Sequence, residues 1–162
     1  MIFVTIGSQE PFDRMIKAID EVAGELPDKI FIAQVYKASY QVKNIKTVEF
    51  ISPLEYNSYI DQAELVIAHA GMGTILSVLQ LEKPLLIFPR LSKYKETRND
   101  HQVATTEWFE KKEYLYVAYS IEELKEQVKK ICREKKQSLH KIDGYASKEL
   151  INSISSFINN NI

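Results

Sequence analysis

Leu65-Val66-Ile67-Ala68-His69-Ala70-Gly71-Met72-Gly73-Thr74 is the stretch whose reading decides the fold. Its four leading apolar residues, too few for a helix, read as a buried strand. The pattern then changes at Gly71 and Gly73, and a helix runs from one of them to about Leu81 before Pro84 stops it. That helix is apolar on most sides, so burial is expected all round. Glycine lets the backbone approach a ligand without a Cβ in the way, and free N–H groups at a helix start favour an anion. A tight turn needing small residues for packing would look the same, so the glycine pair alone does not decide between the two.

Working outward, strand and helix periods alternate along the whole chain. Strands are expected at residues 2–6, 29–35, 47–50, Leu65–Ala68, 85–88 and 115–117. Helices are expected at 11–23 (with Pro11 in the first turn), Pro53–Gln62 capped by Ser52, His101–Lys111 capped by Asp100, Ile121–Glu134 capped by Ser120, and 146–159. Residues 36–46 are ambiguous, and the polar stretch 133–141 reads as a flexible link to the last helix. This is an α/β pattern with a largely parallel six-stranded sheet, a Rossmann-like three-layer domain. Residues 1–162 read as one domain.

In open parallel sheets ligands bind beyond the carboxyl ends of the strands, at the switch point. With strand order 3-2-1-4-5-6, strands one, four and five are neighbours. Gly7-Ser8-Gln9-Glu10-Pro11 follows the first, the His69–Thr74 turn the fourth, and Pro89-Arg90 with Asn99-Asp100-His101-Gln102 the fifth. Three unusual loops would then line one crevice. Thr74 offers a hydroxyl, Gln102 both donor and acceptor atoms, and Arg90, Lys93, Lys95 and Arg98 local positive charge. His69 reads either as a ligand contact or as a histidine satisfied by backbone carbonyls. Position 76 is Leu76, so the three-glycine dinucleotide fingerprint is absent, as is Gly-x-x-x-x-Gly-Lys-Ser/Thr. His69, His101 and His140 are too scattered to form a metal cluster.

Bulk properties narrow the classes. A formal net charge of −1 provides no basic field for nucleic acid. The single cysteine, Cys132, allows no intrachain disulfide and fits a reducing compartment. It lies on an apolar stripe and reads as a core residue. The run 2–6 ends at Gly7, too short for a secretory signal, and no apolar run reaches membrane-spanning length.

Three segments carry a family resemblance. Phe3-Val4-Thr5-Ile6-Gly7-Ser8 with Pro11-Phe12-Asp13-Arg14, Ala68-His69-Ala70-Gly71-Met72-Gly73-Thr74-Ile75-Leu76, and Lys83-Pro84-Leu85 with Pro89-Arg90 and Asn99-Asp100-His101-Gln102 occur in order. They resemble the C-terminal, donor-binding half of glycosyltransferase family 28 enzymes of GT-B architecture. The likeness extends to small catalytic subunits of split bacterial exopolysaccharide and capsule glycosyltransferases, and to the catalytic subunit of the eukaryotic dolichol-linked N-acetylglucosaminyltransferase.

The resemblance implies a UDP-sugar donor, inverting transfer and no obligatory metal or other cofactor. It implies donor binding by Gly7, Ser8, His69, Ala70, Gly71, Met72, Gly73, Thr74, Arg90, Asp100, His101 and Gln102. It also implies a membrane-anchored partner subunit that binds a lipid-linked saccharide acceptor, and so a cytoplasmic location peripheral to the inner face of the membrane. The chain length matches one nucleotide-binding half. Ser77 stands where many relatives carry a glutamate that binds the ribose, and Lys95 where a glycine is common. The general base is unassigned and expected on the acceptor side, with His69 the local candidate. The alternative is a non-catalytic enhancer or nucleotide-sugar-binding subunit; an epimerase half shares the architecture. The C-terminal segment 146–162 either packs on its own sheet or serves a partner or second copy.

Overall fold

The computed structural model describes residues 1–161, so Ile162 of the expected C-terminal segment lies outside the described residues. The elements are β1 (Ile2–Thr5), α1 (Asp13–Glu25), β2 (Phe31–Gln34), β3 (Lys46–Val48), α2 (Pro53–Gln62), β4 (Leu65–Ala68), α3 (Met72–Gln80), β5 (Leu85–Ile87), α4 (His101–Lys111), β6 (Tyr116–Val117), α5 (Ile121–Glu134) and α6 (Lys148–Asn161). The sheet order is β3-β2-β1-β4-β5-β6, and every pairing is parallel. This is the expected order.

β1 and β4 are buried on both faces, which is why they read as continuous apolar runs. Alternate residues feed two cores. Ile2, Val4, Leu65 and Ile67 face α1 and α5; Phe3, Val66 and Ala68 face the side of Ile60 from α2, Ile75 and Val78 from α3, and Phe109 from α4. The helices α2 and α5 begin with reciprocal capping boxes, Ser52 with Glu55 and Ser120 with Glu123.

Several local expectations need correction. Pro11 lies before α1, because Phe12 takes the N-cap position and stacks its ring on Phe88 at 5.8 Å. The helix α3 buries only one face, through Ile75, Val78 and Leu79, while Met72 is 50% and Leu76 39% exposed. Apolarity alone overstated its burial.

The ambiguous stretch 36–46 is pinned by one buried acid. Asp20 accepts N–H bonds from Lys43, Asn44 and Ile45 and the Tyr40 hydroxyl. Nor is the link before α6 free. Gln137 accepts the Tyr116 hydroxyl at 2.9 Å, His140 stacks on Tyr114 at 3.6 Å, and the Ile142 N–H reaches the Leu79 carbonyl. Helix α6 starts two residues later than expected, and no residue from Lys148 to Asn160 is buried. It does not pack on its own sheet.

Candidate functional site

The three loops meet as the strand order requires. They line a cleft of about 930 Å³ at the carboxyl ends of β1, β4 and β5, a size suited to a small organic ligand. Of the twelve expected binding residues, Gly7, Ser8, His69, Gly71, Gly73, Thr74, Arg90, His101 and Gln102 line it. Ala70 is buried behind the turn, Met72 faces outward, and Asp100 holds the rim.

The glycines divide into two kinds. Gly7 has φ +76°, and a Cβ there would lie 2.9 Å from the His69 ring. A Cβ on Gly71 would come within 2.2 Å of His69 Nε2. Both are glycine because the imidazole occupies the space. A Cβ on Gly73 meets nothing within 4 Å. Packing therefore explains Gly7 and Gly71 but leaves Gly73 without a structural reason.

Gly71 caps α3 with no side chain, and the Gly71 carbonyl accepts first from Ile75. The N–H groups of Met72, Gly73 and Thr74 thus have no intrahelical acceptor, and the helix dipole adds positive character there. Tyr56 donates its hydroxyl to Thr74 Oγ1 at 3.3 Å, so Thr74 keeps its own proton to donate. The Ser77 hydroxyl donates to the Gly73 carbonyl at 2.9 Å and lies outside the cleft, in the groove between α2 and α3.

Burial and the charge of Arg90 push the His69 pKa down to about 4, opposed by the Thr5 carbonyl, so the ring is neutral near pH 7. Its Nδ1 is buried and makes no hydrogen bond among the described residues. A ring whose pKa lies that low, walled by two glycines, is a weak base for a reacting hydroxyl.

Arg90 is 4% exposed and donates to four carbonyls, those of Ile6, Glu10, Pro11 and Glu96. Its guanidinium stacks 4.5 Å from the Phe12 ring centroid. Arg14 makes a bidentate pair with Glu96 at 2.7 and 2.8 Å and reaches the Pro89 carbonyl. Glu96 also accepts the Leu91 N–H. Arg90 therefore staples the first loop to the third, and Arg14 ties the start of α1 to the third. The Arg14–Glu96 pair escapes sequence reading because its halves lie 82 residues apart.

Asp100 occupies the N-cap position of α4 but makes no cap bond; its Oδ1 accepts the Ser92 N–H at 2.7 Å instead. That bond lowers the Asp100 pKa. Gln102 Oε1 accepts the Arg90 N–H at 3.2 Å. Glu10, Thr97, Arg98 and Asn99, outside the expected set, also line the cleft.

Cys132 is half-buried in the α5 stripe, and burial pushes its thiol up to about 11, which removes nucleophilic character at neutral pH. Among the described residues no cluster of three His, Cys, Asp or Glu side chains could hold a metal, and no helix is long and apolar enough to cross a membrane.

Comparison with known proteins adds family and fold. The family model described as "Glycosyltransferase family 28 C-terminal domain" matches residues 1–155. A Candida albicans protein named "UDP-N-acetylglucosamine transferase subunit ALG13" is 32% identical over 89 residues, covering 55% of this chain and 29% of its own. A Streptococcus thermophilus protein named "UDP-N-acetylglucosamine--N-acetylmuramyl-(pentapeptide) pyrophosphoryl-undecaprenol N-acetylglucosamine transferase" is 27% identical over 123 residues, covering 65% and 34%. The chain thus spans about a third of these relatives' length. An NMR structure of ALG13 superposes with a TM-score of 0.61 at 20% identity, covering 94% of this chain and 93% of that one. A glycosyltransferase of kitacinnamycin superposes at 0.62 and 18% identity, covering 80% and 34%. These structures share the fold, an α/β domain with a parallel sheet of the kind found in GT-B glycosyltransferases.

Proposed function

The chain belongs to the glycosyltransferase family 28 C-terminal domain family, and from that premise we propose that it is the donor-binding, catalytic subunit of an inverting UDP-sugar glycosyltransferase. The observation that carries this reading is Gly73, a glycine with open space around it at an uncapped helix start inside the cleft. A ligand approaching the backbone there accounts for the residue where packing does not. The diphosphate lies against the N–H groups of Met72, Gly73 and Thr74, and the donor sugar faces Asp100-His101-Gln102.

UDP-N-acetylglucosamine is the first donor to test, because both named relatives carry that sugar nucleotide in their names. In the transfer, an acceptor hydroxyl forms a new bond to the anomeric carbon while the bond to the diphosphate breaks. The hydroxyl proton passes to a base on the acceptor side. Charge gathering on the leaving UDP is met by the helix N-terminus and its N–H groups, which is electrostatic catalysis without a required metal.

The acceptor is a lipid-linked saccharide in exopolysaccharide or capsule assembly, held by a membrane-anchored partner at the cytoplasmic face. Helix α6 supports the partner. Its apolar positions Leu150, Ile151, Ile154 and Ile158 are 46–53% exposed. Its other side is mostly serine and asparagine with only Lys148 and Glu149 charged, unlike the basic face of a membrane-surface helix.

A non-catalytic donor-binding subunit is the second reading, motivated by Ser77, whose hydroxyl is already committed to the Gly73 carbonyl. Calorimetric titration tests the donor claim. Saturable UDP and UDP-N-acetylglucosamine binding is expected, lost in Gly73→Asp without loss of stability. Absence of saturable binding in the unmodified chain, with or without the partner, overturns it. Sugar transfer by the reconstituted pair separates the two readings.

A further inference from the structure

Asn99 and His101 form a side-chain pair at the cleft rim. Asn99 Oδ1 accepts the His101 backbone N–H at 3.3 Å. It also lies 2.5 Å from His101 Nδ1. The first contact settles which end of the amide points inward, because a backbone N–H needs an oxygen. With the oxygen fixed there, Nδ1 must carry a proton to approach so closely. The neutral ring is then held with hydrogen on Nδ1, leaving Nε2 as a bare acceptor.

Next to it, Gln102 turns its oxygen toward the Arg90 N–H, which leaves its NH₂ group to donate to a ligand. Both residues line the cleft. Adjacent residues of one helical turn therefore present one acceptor and one donor. Vicinal sugar hydroxyls match that polarity, with one hydroxyl donating to His101 Nε2 and an adjacent oxygen accepting from Gln102.

We propose that Asn99 is a positioning residue that selects the donor sugar by locking His101 in the Nδ1–H tautomer, so that the site requires a free hydroxyl on the sugar facing it. This rests on the reading of the cleft as a nucleotide-sugar site. The nucleotide end, against Gly73, is untouched by the pair.

The experiment uses the full chain, with long-range ¹H–¹⁵N spectra of the imidazole and titrations with UDP and UDP-N-acetylglucosamine. In the unmodified protein at about pH 8.5, His101 shows the Nδ1–H pattern. Asn99→Ala shifts it toward the Nε2–H form that free imidazole prefers. The same variant weakens UDP-N-acetylglucosamine about 3- to 10-fold, the loss of one hydrogen bond, and leaves UDP within about twofold. Asn99→Asp, which keeps an oxygen in place, retains the tautomer. His101→Gln puts an amide oxygen near the Nε2 position, and adding Asn99→Ala to it then costs nothing further.

An Nε2–H pattern in the unmodified chain overturns the proposal. So does an equal loss of UDP and UDP-sugar binding in Asn99→Ala. Failure of UDP itself to bind would sink the nucleotide-site reading instead, while the tautomer remains readable in the spectrum.

Discussion

In the cleft, the charged side chains that hold the loops are committed before any ligand arrives. Arg90 is bonded to four carbonyls, Arg14 to Glu96, and Asp100 to the Ser92 N–H. Along α6 the reverse holds: an apolar stripe is displayed and not one residue from Lys148 to Asn160 is buried. The first region spends its interactions on shape, so a small anionic ligand meets a preformed surface. The second leaves its apolar area uncovered, which suits a macromolecular partner. One consequence is that stability should depend on the cleft and hardly at all on α6.

The sharpest way to break this contrast is Arg90→Ala. It strands four carbonyl acceptors and should cost about 3–5 kcal/mol in urea unfolding. A loss under 1 kcal/mol would mean that the loops are not held by this side chain.

His69 supplies the next test. Its folded pKa of about 4 lies below the ordinary 6.5, so the unfolded chain binds a proton first. The associated stability is complete above pH 6.5 and declines as pH falls toward 4, by up to about 3 kcal/mol. His69→Asn should flatten that part of the profile relative to the parent.

Gly71 and Gly73 sharpen the contrast within the cleft. Gly71→Ala drives a Cβ into the imidazole and should cost about 2 kcal/mol. Gly73→Ala should leave stability unchanged or raise it by at most about 1 kcal/mol, while weakening UDP. Equal effects on melting temperature would erase the distinction between a packing glycine and a ligand glycine.

The smallest stability effect belongs to α6. Ile154→Asp should shift unfolding by less than about 0.5 kcal/mol, yet abolish co-purification with the acceptor subunit.

Much of this was legible in the residues. Buried parallel strands are continuous apolar runs, so β1 and β4 declare themselves, and their loops locate the cleft. The N-caps of α2 and α5 are local and readable from Ser52 and Ser120. What stayed hidden depends on distant partners. Nothing near Glu96 announces Arg14, and nothing in residues 36–46 announces Asp20. Arg90 reads correctly as a cleft residue, but a basic side chain after a strand does not reveal that its bonds stay inside the protein. The exposure of Met72 and Leu76 is likewise set by what the fold leaves uncovered, not by their own chemistry.

The Arg90 staple also has an electrical side. Its acceptors are carbonyls, so its hydrogen bonds are satisfied without an ion pair; the Glu96 and Glu10 carboxylates act on its charge only from a distance, and Glu96 is paired with Arg14. Its charge, after burial, also opposes protonation of His69. Buried charges are shielded much less by dissolved ions than exposed ones. Arg90 therefore acts as a fixed positive electrode in the cleft wall, and the attraction it would lend to the proposed diphosphate should persist at ionic strengths that would silence Lys93 or Arg98 at the surface.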